Sequence, residues 1–125
     1  MVVRHDIKGY EAFCKYIDGI KEKKENIYIF FSGSKEADGK SWCPDCVRAK
    51  PIIEKALIQA DSDSVYVYVE VGDRTFWKDP NCPFRTDKRT KLLVLPTLVR
   101  WGQPQRLEGD QCEKEDLVEM LFTDE

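Results

Sequence analysis

Apolar residues in this chain follow two spacings, which alternate along its length. Over residues 9–23, Tyr10, Phe13, Cys14 and Ile17 fall three or four positions apart. That period places them on one stripe, so an amphipathic helix is predicted. Residues 27–31 are an unbroken run of β-branched and aromatic side chains, which predicts a strand buried on both faces. A polar loop follows over 33–41, carrying Lys35, Glu36, Asp38 and Lys40. The helical period returns from Pro44, with Val47, Ile52, Ile53, Ala56 and Leu57 as the apolar face. Pro51 lies inside this stretch and cannot bond the carbonyl of Val47, so a kink is expected.

Valines at 65, 67, 69 and 71 mark the clearest strand. Residues 72–90 are irregular, broken by Pro80 and Pro83, with room for one short helix. An apolar strand-like run over 92–95 leads into Pro96. Residues 97–101 and 105–107 flank Gly102, Gln103 and Pro104 and predict an antiparallel hairpin. Asp110 with Glu113 three residues on reads as a capping box for a last helix ending at Phe122. Val2 and Val3 would add an edge strand. A strand–helix–strand unit beside a hairpin predicts one α/β domain over 1–125, a mixed sheet with helices on both faces.

Composition narrows the function. At 42% hydrophobic residues the chain can form a core. Its 20 basic against 23 acidic residues, with no basic block, argue against a nucleic-acid surface. The longest apolar run is five residues, too short for a membrane span. Arg4, Asp6 and Lys8 precede no leader-like apolar stretch, so a cytosolic protein is expected. Structural disulfides are rare there, and a close cysteine pair points to catalysis or metal binding.

That pair is Cys43 and Cys46, within Trp42-Cys43-Pro44-Asp45-Cys46. Two cysteines one helical turn apart can close a small disulfide and reopen it. Pro44 suits the first helical position, which makes Cys43 the N-cap. Its sulfur would then accept hydrogen bonds from the amides of Asp45 and Cys46 and face the positive end of the helix dipole. Both favour the thiolate. The Asp45 carboxylate opposes them in part, and Lys40 would offset Asp45 if the loop folds back. Cys46, deeper in the helix, should keep its proton longer. The asymmetry makes Cys43 the nucleophile and Cys46 the resolving thiol.

Structural zinc is the alternative, but it needs four ligands, usually from two such pairs. Only one pair exists here, and His5, Cys14, Cys82 and Cys112 are not spaced as a second. No metal or other cofactor is expected. Cys14 reads as a core residue on the helical stripe, Cys82 as an exposed loop bystander, Cys112 as partnerless in the last helix, and His5 as solvated. Pro96 is either an edge-strand proline or a cis-proline that presents the backbone of Leu95 to an incoming disulfide.

Trp42 before the dithiol, with Leu95-Pro96-Thr97 about fifty residues later, resembles the thioredoxin superfamily. A closer resemblance runs through nearly the whole chain. It rests on residues 31–35, 39–46, 77–81, Phe84-Arg85, Pro96-Thr97-Leu98 and residues 117–122. These are similar to the 14 kDa thioredoxin-related proteins, the thioredoxin domain-containing protein 17 family. The resemblance implies a thioredoxin fold and a cytosolic disulfide reductase that is itself reduced by thioredoxin reductase. It implies a preference for cystine and other small or exposed disulfides. It maps the dithiol onto Cys43 and Cys46 and the cis-proline onto Pro96. Around them, Trp42, Pro44 and Asp45 are expected to support the dithiol, and Leu95 and Thr97 to meet the substrate. It gives Cys82 no role.

The chain departs from ordinary thioredoxin in three places. Pro44 and Asp45 stand between the cysteines where thioredoxin has glycine and proline. The 33–41 loop is longer. Phe30 occupies the strand position of thioredoxin's buried aspartate, so the usual proton acceptor is missing. Trp42, and no glycine pair before the last helix, argue against a glutaredoxin. The longer charged loop, and the bulky Phe76 and Trp77, would narrow access for large protein partners. The second functional class is a redox-gated interaction module that binds partners through the dithiol with little turnover.

Overall fold

The computed structural model describes residues 2–20 and 26–123. Five strands form one sheet in the order β1-β3-β2-β4-β5, comprising β1 (Val3–Lys8), β2 (Ile27–Ser32), β3 (Val65–Glu70), β4 (Thr97–Arg100) and β5 (Arg106–Glu108). β1, β3 and β2 run parallel, β4 is antiparallel to β2, and β5 is antiparallel to β4. The helices are α1 (Tyr10–Gly19), α2 (Pro44–Ala56), α3 (Arg74–Lys78), α4 (Pro83–Thr86) and α5 (Glu115–Thr123). This is the mixed α/β sheet expected, and it is the thioredoxin fold.

The two-residue period of the strands divides the core in two. Ile27, Ile29 and Phe31 of β2 and Val65, Val67 and Val69 of β3 face Phe13 and Ile17 of α1, Trp77 of α3 and Phe84 of α4. Tyr28, Phe30, Tyr66 and Tyr68 face Ala49 and Ile53 of α2 and Val118, Leu121 and Phe122 of α5. With apolar layers on both sides, β2 and β3 are buried at every position, which is why their sequences read as continuous runs. Each buried aromatic or aliphatic side chain contributes about 1.5–3 kcal/mol.

Several elements differ from expectation. The edge strand extends well beyond Val2 and Val3, to Lys8. Only Ile7 of it is buried, so Arg4, His5 and Asp6 disguise it as loop. α1 closes at Gly19, and the predicted continuation over 21–23 lies outside the described residues. The 72–90 stretch holds two short helices rather than one, capped by Asp73 and Cys82. Residues 92–95 are not a strand. Ile53 and Ala56 are buried as expected, but Val47 is exposed, and Cys46 and Ala49 complete the buried face of α2. Pro51 lies within α2, which continues to Ala56.

The capping box also forms two residues earlier than predicted. Glu108 and Gln111 make it, with the Glu108 N–H donating to Gln111 Oε1 at 2.9 Å. It opens a 3₁₀ turn over Gly109–Glu113, and α5 begins only at Glu115. Both residue pairs have the required spacing. The earlier one wins because the Gly109 N–H is held by the Pro96 carbonyl at 2.8 Å, which fixes where the turn starts.

Candidate active site

The segment after β2 returns across the end of the parallel strands before α2 begins, and this return positions the dithiol. Ser34 bonds Gly72 in both directions, through its amide to the Gly72 carbonyl at 3.0 Å and through its hydroxyl from the Gly72 N–H at 2.9 Å. The Lys35 N–H donates to Glu70 Oε1 at 2.9 Å. A bridge between Lys35 and Ser41 closes the base of the loop, whose tip turns at Gly39 with φ of 84°. Residues 35–40 are all exposed.

Trp42 is fixed from three sides. Its indole N–H donates to the Gly72 carbonyl at 2.8 Å, its amide donates to the Ser34 carbonyl at 3.3 Å, and the Arg74 guanidinium stacks 5.2 Å from its ring. Gly33 makes this packing possible, because a Cβ there would lie 2.6 Å from the indole.

Cys43 is the N-cap of α2 and Pro44 its first residue, as the sequence predicts. The Cys43 N–H donates to Ser41 Oγ at 3.1 Å, and its sulfur accepts the Cys46 N–H at 3.3 Å. Cys43 is 6% exposed and Cys46 1%, and both pack into the α1-side core together with Leu95. The two sulfurs differ sharply in acidity. Cys43 is lowered from 9.0 to about 7, first by a hydrogen bond from the Cys46 thiol and then, against the pull of burial, by the Cys46 and Asp45 amides. The Asp45 carboxylate acts in the other direction. Cys46 is pushed strongly upward, by that same bond to Cys43 and by burial.

Asp45 is paired with Arg48, one turn on, rather than with the Lys40 expected from the loop. Arg48 also reaches Glu113 at 2.9 Å. The i,i+3 spacing of Asp45 and Arg48 was visible in the sequence. Lys40 instead lines a cavity beside Cys46. Two opposed results follow for the rate of Cys43 alkylation by iodoacetamide, measured against pH. The midpoint should lie near 7. Asp45→Asn should lower it, and Arg48→Ala should raise it by leaving Asp45 uncompensated. Each shift should stay under about one unit, because both groups are half-exposed to solvent. Equal midpoints in both variants would remove Asp45 from the account.

The Leu95–Pro96 peptide is cis. Leu95 is buried, and the Thr97 hydroxyl donates to the Val94 carbonyl at 2.7 Å, so both side chains point inward. Of the two aromatics expected near the groove, Trp77 is core, with the Arg85 guanidinium 3.9 Å from its ring, and Phe76 is exposed.

The remaining cysteines stand apart from the dithiol. Cys14 is half-buried on the stripe of α1 and accepts a hydrogen bond from Arg89 at 3.4 Å. Cys82 is buried at 2% exposure, not exposed as its loop position suggested. It caps α4, its carbonyl accepting the Arg85 N–H at 2.8 Å, and its side chain packs into the core. Cys112 is fully buried, its thiol donating to the Leu107 carbonyl at 3.5 Å, and burial pushes it up to about 12. His5 is exposed on β1, 5.4 Å from the Tyr16 ring. Among the described residues, no three His, Cys, Asp or Glu side chains gather as a metal site, and no helix is long and apolar enough to cross a membrane.

Comparison with known proteins agrees with this geometry. Residues 6–124 match the profile of the thioredoxin domain of the thioredoxin domain-containing protein 17-like family. Thioredoxin domain-containing protein 17 of Danio rerio is 46% identical over 119 residues, covering 95% of this chain and 94% of the relative. The Homo sapiens protein of that name is 40% identical over 119 residues, with the same coverage. The thioredoxin-like protein Clot of Arabidopsis thaliana is 38% identical over 104 residues, covering 81% and 78%.

Proposed function

Because this chain belongs to the thioredoxin domain-containing protein 17-like family of thioredoxin domains, we propose that it is a cytosolic disulfide reductase for small or exposed disulfides such as cystine. One observation carries the reading. A sulfur held at a helix N-terminus by the 3.3 Å bond from the Cys46 amide stands one turn from a second, buried thiol. The first is poised as a thiolate near neutral pH and the second keeps its proton.

In this reading Cys43 attacks one sulfur of the substrate disulfide, and the first substrate thiol leaves. Cys46 then loses its proton and attacks Cys43, releasing the second thiol and closing the Cys43–Cys46 disulfide. Thioredoxin reductase reopens it. The substrate lies over Trp42 and Pro96, along the backbone between Leu95 and Thr97. No cofactor is needed, because both electrons come from the dithiol.

The 33–41 loop supports the narrow substrate range. It is closed at its base by the Lys35–Ser41 bridge and stands exposed beside the nucleophile. Cystine should therefore be reduced efficiently, and the disulfides of folded insulin poorly relative to an ordinary thioredoxin. Trimming residues 36–39 above the bridge should raise the rate on insulin several-fold and leave cystine nearly unchanged. Equal rates on the two substrates in the unmodified protein would contradict the reading. Parallel changes in both after trimming would assign the selectivity to thiol chemistry rather than access.

A further inference from the structure

The resolving step places a charge on a sulfur that is 1% exposed. Phe30 fills the strand position where a carboxylate was looked for, and it is fully buried against Tyr68. Something else must make the Cys46 thiolate accessible. The α2-side face of the sheet ends in three polar side chains, Ser32 of β2 and Tyr68 and Glu70 of β3, and Tyr68 lines one cavity together with Cys46. Each is less than 5% exposed. The Tyr68 hydroxyl donates to Ser32 Oγ at 3.3 Å, and Ser32 Oγ donates to the Gly33 carbonyl at 3.1 Å.

We propose that Ser32 and the Gly33 amide form a donor cradle for the Cys46 thiolate, with Tyr68 as the positioning residue that keeps Ser32 oriented toward it. The inference rests on the reading of Cys46 as the resolving thiol. While Cys46 is a thiol, the Ser32 hydroxyl bonds the Gly33 carbonyl. As the proton leaves, the hydroxyl turns to the sulfur, and Tyr68 continues to donate to its oxygen. The Gly33 amide and the Ser32 hydroxyl favour the charged form of Cys46, against burial. The largest upward cause, the bond to Cys43, disappears once Cys43 is held in a mixed disulfide. Burial then remains as the obstacle, and the cradle offsets it.

Charges around the pair come from every neighbouring element. Cys43 and Asp45 lie on the motif, and Lys50 is one turn further along α2. Lys35 and Lys40 come from the loop, and Glu70 from β3. The Lys35 and Lys50 ammonium groups lie 5.1 and 4.8 Å from the Tyr68 ring centroid. A cavity of about 190 Å³, lined in part by Lys35, Lys40, Cys46, Lys50 and Tyr68, gives the departing proton a route to water. In the step, the Cys46 proton passes to that water and the Cys46–Cys43 bond forms. The bond from Cys43 to the substrate sulfur breaks, and the released thiolate takes up a proton.

Ellman's reagent separates the two steps, because attack by Cys43 releases one thionitrobenzoate and displacement by Cys46 releases the second. A Cys14→Ser background removes the half-buried thiol of α1. Ser32→Ala should slow the second phase relative to the first by about ten-fold to a hundred-fold, the effect of losing one hydrogen bond to an ion. The pH at which the second phase levels off should rise by about one unit. Tyr68→Phe should move both quantities in the same direction, by less. Loss of packing alone would lower thermal stability without displacing the pH profile. If the profile is unmoved in Tyr68→Phe and in any folded Ser32→Ala, the cradle is wrong. If the unmodified protein shows no second phase, the dithiol reading fails instead.

Discussion

Replacing Cys43 with serine is expected to abolish disulfide reduction, lowering turnover by on the order of a thousand-fold or more, in the range that loss of a nucleophile costs. Serine preserves the shape of the N-cap, and its oxygen can still accept the amide bond that Cys43 sulfur receives from Cys46 at 3.3 Å. The fold should therefore be retained, and circular dichroism and the melting temperature should change little. What is lost is the sulfur anion. A serine hydroxyl does not ionise near neutral pH, whereas Cys43 titrates at about 7. Cys46 cannot substitute, because it is buried and strongly raised. Residual activity within ten-fold of the parent would move the nucleophile elsewhere. Cys14, the half-buried thiol on α1, would be the first to examine.

Cys46→Ser should produce the opposite phenotype. Attack still occurs, but the mixed disulfide on Cys43 has no resolving thiol and accumulates. Mass spectrometry of the variant after exposure to cystine should show a stoichiometric adduct of one half-cystine on Cys43. A reductant should release it. Attack itself should change little, because the serine hydroxyl can still donate to Cys43 in place of the Cys46 thiol. Normal turnover by Cys46→Ser would show that external thiols, not Cys46, complete the cycle.

Much of the site was legible in the sequence because it depends on local geometry. The N-cap at Cys43, the helix start at Pro44 and the burial of Cys46 follow from the spacing of five residues. β2 and β3 were legible because strands buried on both faces are apolar throughout. Features set by distant contacts were not. β1 is held by six parallel pairings to β3, although its own residues are mostly polar. Cys82 lies in a polar turn, yet its side chain enters the core once α4 forms. The Asp110 and Glu113 spacing was a sound capping signal, overruled by the bond from Gly109 to Pro96. The Ser32–Tyr68 contact joins residues thirty-six positions apart, and only the register of β2 against β3 brings them together.

The departures from ordinary thioredoxin also take on a physical meaning. Asp45 acts against the Cys43 thiolate, but Arg48 pairs with it and restrains the effect. The longer loop is anchored at its start, to Glu70 through Lys35 and to Gly72 through Ser34, and at its far end by the Lys35–Ser41 bridge and the bond from the Trp42 amide to the Ser34 carbonyl, so it is a fixed wall beside the dithiol. Phe30 makes the floor beneath α2 apolar, and the polar groups at its end are the Ser32 and Tyr68 hydroxyls and the Glu70 carboxylate.

The most direct test of the central claim is NADPH oxidation with thioredoxin reductase and cystine, in the presence and absence of this protein. NADPH consumption should scale with the concentration of the protein and disappear with Cys43→Ser. No consumption above the reductase alone, under conditions where an ordinary thioredoxin supports it on insulin, would contradict the account.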